Sequence, residues 1–353
     1  MMKLWVYEYL TGGGIDRQLA GSSSLADLSA LVVEGRMMRD AIVGDLRHID
    51  GVQVSFASSR FETVEQGVAH CRARPGESMM EFVARAAREH DYAWIVAPEC
   101  DGLMFDLADA VGPARWIGCT REAIAHASSK RVTAARLAEH GIAATPALDA
   151  AHLEPRAQRR WVVKPDDGAG GLDTHLFDDA GSARDEYAAR CAAGRETVLQ
   201  EWVEGDPLSL SLICEGAAAT LVSINRQRID VAGRVAGRAG QVVGFDGVDI
   251  DRINRDSPQG RTLDALAREV AAALPGLRGF VGIDVVWHAS RGPVVIEVNP
   301  RATVAYAGLS ARLGRNLAAD VLCAHGLRVA VRPREPGAGV TPRAKLLACG
   351  AQS

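Results

Sequence analysis

Two apolar stretches late in the sequence each carry an acid. Asp284 lies in Val281-Gly-Ile-Asp284-Val-Val-Trp287, and Glu297 lies in Val294-Val-Ile-Glu297-Val298-Asn299-Pro300-Arg301. A carboxylate inside an apolar strand must be paired or metal-bound, because leaving it bare is strongly unfavourable. Glu297 and Asn299 are two apart and so share one face of a strand. Adjacent strands presenting Asp284, Glu297 and Asn299 would converge three oxygen ligands. Such a set suits Mg²⁺, which keeps waters and shares the phosphates of its substrate. The alternative for either acid alone is a salt-bridged core carboxylate, for example Glu297 with Arg301.

A second constellation is Trp161-Val-Val-Lys164-Pro165-Asp-Asp-Gly168-Ala169-Gly170-Gly171. A hydrophobic strand delivers one lysine, then a glycine-rich loop. Glycines let backbone N–H groups turn towards an anion, and lysine adds a compact positive charge. No Gly-Lys-Ser/Thr closes the loop, and the spacing is not Gly-x-Gly-x-x-Gly, so the two common nucleotide loops are excluded. Taken alone, the loop reads equally as a plain turn. A third stretch, Gln200-Glu201-Trp202-Val203-Glu204-Gly205-Asp206-Pro207, is a strand end followed by acids. Its backbone could meet a purine edge and its acids ribose hydroxyls; a solvated turn is the default.

These groups need a scaffold. The first third alternates strand and helix: Lys3 to Tyr9, a helix with an apolar stripe from Leu25 to Ile49, Val52 to Ala57, Met79 to Glu89 and Asp91 to Ala97. Ser24-x-x-Asp27 and Ser78-x-x-Glu81 have capping-box spacing. That alternation predicts a parallel sheet with helices on its faces. A boundary falls near residue 120, followed by a helix from Ser128 to Glu139 that stops at His140-Gly141. From Trp161 to Val203 the order is strand, glycine loop, strand, helix, strand. Strands then dominate: Leu208 to Cys214, Ala218 to Arg228, Phe280 to Trp287 and Val294 to Val298. A helix over Thr262 to Leu274 interrupts them, and another covers Asn316 to His325.

Parallel sheets bind ligands at the carboxyl ends of their strands. Glu8 and Glu99 fit that rule as holders of an ammonium group, with Glu34 and Asp101 nearby in sequence. Arg226 suits a carboxylate or phosphate. Tyr306 and Ser310 follow the acidic motif and are candidates to line a pocket beside it. Each has a plainer reading as a cap, a surface ion pair or a core residue.

The 353 residues are 48% hydrophobic and 24% charged, which fits a globular protein of two or three domains. The net charge of −4 gives no basic excess for nucleic acid. No apolar run reaches membrane-span length, and the start has polar breaks too early for a signal peptide. The seven cysteines are scattered without a Cys-x-x-Cys pair, which speaks against a zinc ribbon or a disulfide framework and for reduced thiols in the cytoplasm.

In this order, Lys130 in Ser128-Ser129-Lys130-Arg131, Lys164 with its glycine loop, Gln200 to Gly205, Asp284 and Glu297-Val-Asn299-Pro-Arg301 resemble the ATP-grasp carboxylate–amine ligases. The resemblance covers residues 120 to 310. It implies an α/β chain: an amino-terminal parallel, Rossmann-like pre-ATP-grasp domain, then an α+β ATP-grasp fold of two subdomains. The implied bounds are 1–120, 121–204, 205–335 and a tail at 336–353. ATP would be held by Lys130 and Lys164 on its phosphates, by Gly168, Gly170 and Gly171 as a lid, and by Gln200, Glu201, Trp202 and Val203 around adenine. Asp284, Glu297 and Asn299 would hold two Mg²⁺, with Mn²⁺ as a substitute. Arg301 would steady the transferred phosphoryl group and Lys164 would assist it. Many relatives carry a ribose-binding Glu where this chain has Pro207, so Glu204 or Asp206 would take its place.

The amino-terminal motifs Glu8-Tyr9-x-x-Gly12-Gly13-Gly14, Ser29-x-x-x-x-Glu34-Gly35-x-x-Met38 and Pro98-Glu99-x-Asp101-Gly102, with Asn225-Arg226-Gln227, are similar to the tyramine–glutamate ligases of methanofuran synthesis. The pyrrolysine-pathway ligases are more distant. The resemblance implies small-molecule carboxylate and amine substrates, no nucleic-acid or membrane partner, and a homodimer as one assembly that the sequence does not fix. The alternatives are a ligase of another amino-acid pair and a nucleotide-binding relative without catalysis.

Overall fold

A computed structural model of the chain describes residues 1–14, 25–153, 159–168, 170–234 and 240–332. Ser24 of the first capping box, Ala169 of the glycine loop and the 336–353 tail lie outside the described residues.

The amino-terminal sheet contains β1 (Met2–Glu8), β2 (Val52–Ala57), β3 (His70–Cys71), β4 (Tyr92–Val96) and β5 (Trp116–Ile117). Its order is β3-β2-β1-β4-β5 and every pairing is parallel. Strand β1 explains why both faces must be covered. Leu4 and Val6 point to one side, Trp5 and Tyr7 to the other, and all four are buried. Helix α1 (Leu25–Arg47) covers the first side with Ile42 and Leu46. Helices α2 (Met79–Arg88) and α3 (Leu103–Val111) cover the second through Phe82, Val83, Met104 and Leu107. The Ser78 capping box is present: Glu81 N–H donates to Ser78 Oγ and Ser78 N–H to the Glu81 carboxylate.

The second part begins with α4 (Arg121–Ser128) and α5 (Lys130–Glu139), which ends at Gly141 with φ 71°. Strands β6 (Trp161–Pro165) and β7 (His175–Phe177), helix α6 (Ala180–Ala192) and β8 (Thr197–Glu201) share a small core of Trp161, Val163, Phe177, Ala183 and Leu199. Then come β9 (Asp206–Glu215), β10 (Ala218–Arg234), β11 (Gln241–Asp249), α7 (Pro258–Ala273), β12 (Arg278–His288) and β13 (Gly292–Asn299). All these strands form one eight-stranded sheet, β13-β12-β9-β10-β11-β7-β6-β8, antiparallel throughout its described pairings.

The chain then returns through α8 (Leu309–Leu313) and α9 (Leu317–Ala324). Leu317, Val321 and Leu322 of α9 join the core under α1, so the carboxyl end helps to cover the amino-terminal sheet. Sequence patterning missed β3, β5, α3, α4, β11 and α8. Strand β11 carries Gly244, Asp246 and Gly247, which break its period, and α3 starts from Gly102 in a left-handed conformation without a side-chain cap.

Candidate active site

The site is built where α5, β6 and the β12–β13 pair meet. Ser129 caps α5 and donates its hydroxyl to Asp166 Oδ2 at 2.6 Å. The Arg131 N–H donates to Asp166 Oδ1 at 2.9 Å, and the Lys130 N–H to the Asp166 carbonyl at 2.9 Å. Asp166, which sequence reasoning passed over, therefore stitches the loop after β6 to the start of α5. Its signal was its place directly after Lys164-Pro165.

That stitch brings two buried lysines together. Lys130 Nζ lies 3.2 Å from the Asp167 carbonyl and 3.5 Å from Glu297 Oε2. Lys164 is pushed down to about 8, first by burial and then by the charge of Lys130. Beyond the lysines, Gly168, Gly170 and Gly171 hold φ of 95°, 71° and 67°. Only glycine adopts such a run without strain. The Gly170 Cα faces Leu31 of α1, and that of Gly171 faces the backbone of β11. Gly170 and Gly171 thus lie between α1 and β11.

Asp284 and Glu297 stand opposite each other in the β12–β13 register. Gln227 Nε2 donates to Asp284 Oδ1 at 3.0 Å and Asn299 Nδ2 to Oδ2 at 3.2 Å. Burial, then the charge of Glu297, pushes the Asp284 carboxyl well above the usual range. Burial works against the charge of Glu297 too, but Lys130 and Lys164 outweigh it and hold that group down. Two adjacent carboxylates of which one resists ionisation fit a divalent cation, whose charge would replace the proton between them. Among the described residues no group of three or more His, Cys, Asp or Glu forms a cation site, so this candidate is two carboxylates plus an amide.

The end of β8 is more closed than the sequence suggested. Gln200 is buried and its Nε2 donates to the Thr145 carbonyl at 2.7 Å. The Trp202 N–H donates to the Arg160 carbonyl at 2.9 Å, so it is not open to a ligand. Thr145 Oγ1 and Trp202 Nε1 are buried in this corner without a hydrogen-bond partner. Val203 is buried as well. Glu201 pairs with Arg159 at 3.2 Å, and Glu204 pairs with Arg160. Asp206 and Arg226 face each other at 3.8 Å, both about half exposed. Gly205 has φ 147°, and a Cβ there would lie 2.2 Å from the Trp287 carbonyl oxygen.

Several of the residues expected to hold the acceptor are engaged within the protein. The Glu8 carboxylate accepts from the Thr11 N–H at 2.8 Å and the Thr11 hydroxyl at 2.7 Å, so it closes its own loop. Glu99 is occupied by Arg301: Nη2 donates to Oε2 at 3.0 Å and Nε lies 2.9 Å from Oε1. Tyr306 is buried in the core and donates to Asp45 Oδ2 at 2.8 Å; Ser310 donates to the same oxygen. Neither lines an open pocket. Glu34 is half-buried, pushed up by burial, and has no ion-pair partner among the described residues. Asp101 is exposed, and its N–H donates to Asp167 Oδ2 at 2.7 Å.

The model of the ATP-grasp domain matches residues 127–305, just over half of the chain. The chain belongs to the ATP-grasp family. A pre-ATP-grasp domain model matches residues 53–124, within the parallel-sheet part. No curated protein matches the sequence. Solved structures share the ATP-grasp architecture at low identity. A protein from Archaeoglobus fulgidus, described as belonging to the ATP-grasp superfamily, is 20% identical with a TM-score of 0.66, over 94% of this chain and 90% of that one. The L-amino acid ligase from Bacillus licheniformis is 14% identical with a TM-score of 0.58, over 94% and 75%. D-alanine–D-alanine ligase from Bacillus anthracis is 12% identical with a TM-score of 0.58, over 92% and 96%. No helix among the described residues is long and apolar enough to cross a membrane.

Proposed function

We propose that the protein is an ATP-dependent carboxylate–amine ligase. The observation that carries this reading is the meeting of Lys130, from α5, with Glu297, from β13, at 3.5 Å beside Lys164 and Asp284. Two buried cations beside two partly buried acids are the two halves of a site for a nucleotide polyphosphate and its counter-ion.

In this reading Lys130 and Lys164 bind the phosphates, and the positive-φ glycines present N–H groups over them. The corner of Gln200, Thr145 and Trp202 receives the base, where Thr145 Oγ1 and Trp202 Nε1 gain the partners they lack. Glu204 and Asp206 stand where ribose would emerge. Mg²⁺ held by Asp284, Glu297 and Asn299 would draw charge from the β- and γ-phosphates. The substrate carboxylate attacks the γ-phosphoryl group, ADP leaves, and the amine displaces phosphate from the acylphosphate. Arg301 offers its guanidinium to the developing charge, and the glycine loop keeps water from the acylphosphate.

The substrates follow from the motif resemblance: L-glutamate as carboxylate and tyramine or tyrosine as amine, in methanofuran-type one-carbon cofactor synthesis. Glu8 and Glu99 are engaged internally, so Glu34 is assigned the ammonium group. Glu34 lies one turn from Leu31, the residue that meets the glycine loop, and no ion pair among the described residues engages it. The test is mass spectrometry of reactions with L-glutamate labelled with ¹⁸O in its carboxylates. The reading expects a product of the summed mass less water and one labelled oxygen in the released phosphate. Product formation with unlabelled phosphate would rule out the acylphosphate.

A further inference from the structure

The turn after β4 touches both Arg301, which follows β13, and the loop after β6. Its Glu99 accepts a hydrogen bond from Arg301 Nη2 through Oε2 and brings Oε1 to 2.9 Å from Nε as an ion-pair contact outside hydrogen-bond geometry, and its Asp101 N–H donates to Asp167 of the glycine loop at 2.7 Å. Glu99 and Arg301 are 202 residues apart in the chain and both side chains are nearly buried. Asp101 holds φ 51°, in the left-handed region that aspartate enters more readily than most non-glycine residues. The turn is thus tied at two points, to Arg301 and to Asp167.

Arg301 needs that contact. Glu99, Glu297 and Asp284 all act on its guanidinium, and Glu99 is the partner in contact. Arg301 Nη2 also lies 3.5 Å from Asn299 Oδ1, so the guanidinium already borders the oxygen set. A buried guanidinium without a partner moves to the nearest carboxylate, because an unpaired buried charge is strongly unfavourable. The nearest alternatives are the two acids of the candidate cation site.

We propose that Glu99 is a positioning residue that holds Arg301 off the Asp284–Glu297 pair and so keeps that pair open to a divalent cation. The role rests on the cation and nucleotide assignment above. It gives the amino-terminal domain a part in cation binding that the ATP-grasp residues alone do not supply.

The test uses the full chain and the non-hydrolysable ATP analogue AMP-PNP. Calorimetry at stepped Mg²⁺ gives the concentration for half-maximal nucleotide binding. Glu99→Ala and Glu99→Gln should raise that concentration by about tenfold, the usual scale for losing a group that orients a metal site. The double variant Glu99→Ala/Arg301→Ala should return to the value of Arg301→Ala alone, because nothing remains to occupy the acids. A merely structural Glu99 predicts no such rescue. An unchanged Mg²⁺ requirement in both single variants, or a double variant as impaired as Glu99→Ala, would overturn the role. Wild-type protein that binds no nucleotide at any Mg²⁺ concentration would overturn the nucleotide reading and this role with it.

Discussion

Asp284 faces Glu297 across the β12–β13 register, and Asp284 is the one whose ionisation burial and its neighbour resist. This pair holds unfavourable charge at close quarters, and a cation bound there would relieve it. Asp284→Asn keeps the shape and removes the charge conflict, with one of the two acceptor oxygens used by Gln227 and Asn299 replaced by a donor. Without metal, its thermal midpoint should be no lower than that of the wild type. Addition of Mg²⁺ and ATP should raise the wild-type midpoint and leave the variant unmoved. A variant that unfolds early in EDTA, or one still stabilised by Mg²⁺ and ATP, would contradict the assignment.

Lys164→Met should weaken ATP binding by about tenfold or more, the scale of one charge-assisted hydrogen bond to a buried partner. The side chain is buried at a strand end, so methionine preserves its packing. Titration of the variant with ATP by calorimetry, with circular dichroism as the check on folding, reads the effect. Unchanged affinity would remove Lys164 from the phosphate site.

Gly205 follows β8, with φ 147° and the Trp287 carbonyl where a Cβ would sit. Gly205→Ala should destabilise the protein by about 2 kcal/mol or more, since neither the backbone nor the carbonyl can yield. Thermal unfolding should show an early transition. A midpoint equal to that of the wild type would mean that this junction is looser than its geometry.

His325 ties α9 to the end of β5. The Gly118 N–H donates to its Nε2 at 3.0 Å, and its Nδ1 lies 2.8 Å from the Val321 carbonyl, which fits a neutral ring with hydrogen on Nδ1. Burial lowers its pKa from the ordinary histidine value of 6.5. A lowered folded pKa means that this stability is present above the unfolded value and is lost as pH falls through the folded one. Wild-type thermal midpoints should therefore fall between pH 7 and pH 5 more steeply than those of His325→Gln. Parallel profiles would remove His325 from that acid sensitivity.

The Asp284–Glu297 pair and Lys164 were legible because a charged residue inside an apolar strand has few explanations. The parallel alternation of the first third was legible for a similar reason: its strands are buried on both faces. The partners of Glu99 and Glu8 were not legible. Their carboxylates look free in the sequence, but one is claimed by Arg301, 202 residues away, and the other by the Thr11 loop. Only the folded chain shows which acids are spoken for. Strand β11 escaped because Gly244 and Gly247 interrupt its pattern, although it forms the backing for the glycine loop. Gln227 stood out in a motif, but its partner Asp284 lies across the sheet and could not be read from spacing.

The most direct test of ligation is ADP release by the purified protein with Mg²⁺ and ATP, across amines crossed with amino-acid carboxylates, beginning with tyramine and L-glutamate. The account predicts ADP only when a carboxylate and an amine are present together, and loss of that signal in Glu297→Ala with the fold retained. ADP release that ignores both partners, or that survives Glu297→Ala at wild-type rate, would contradict it.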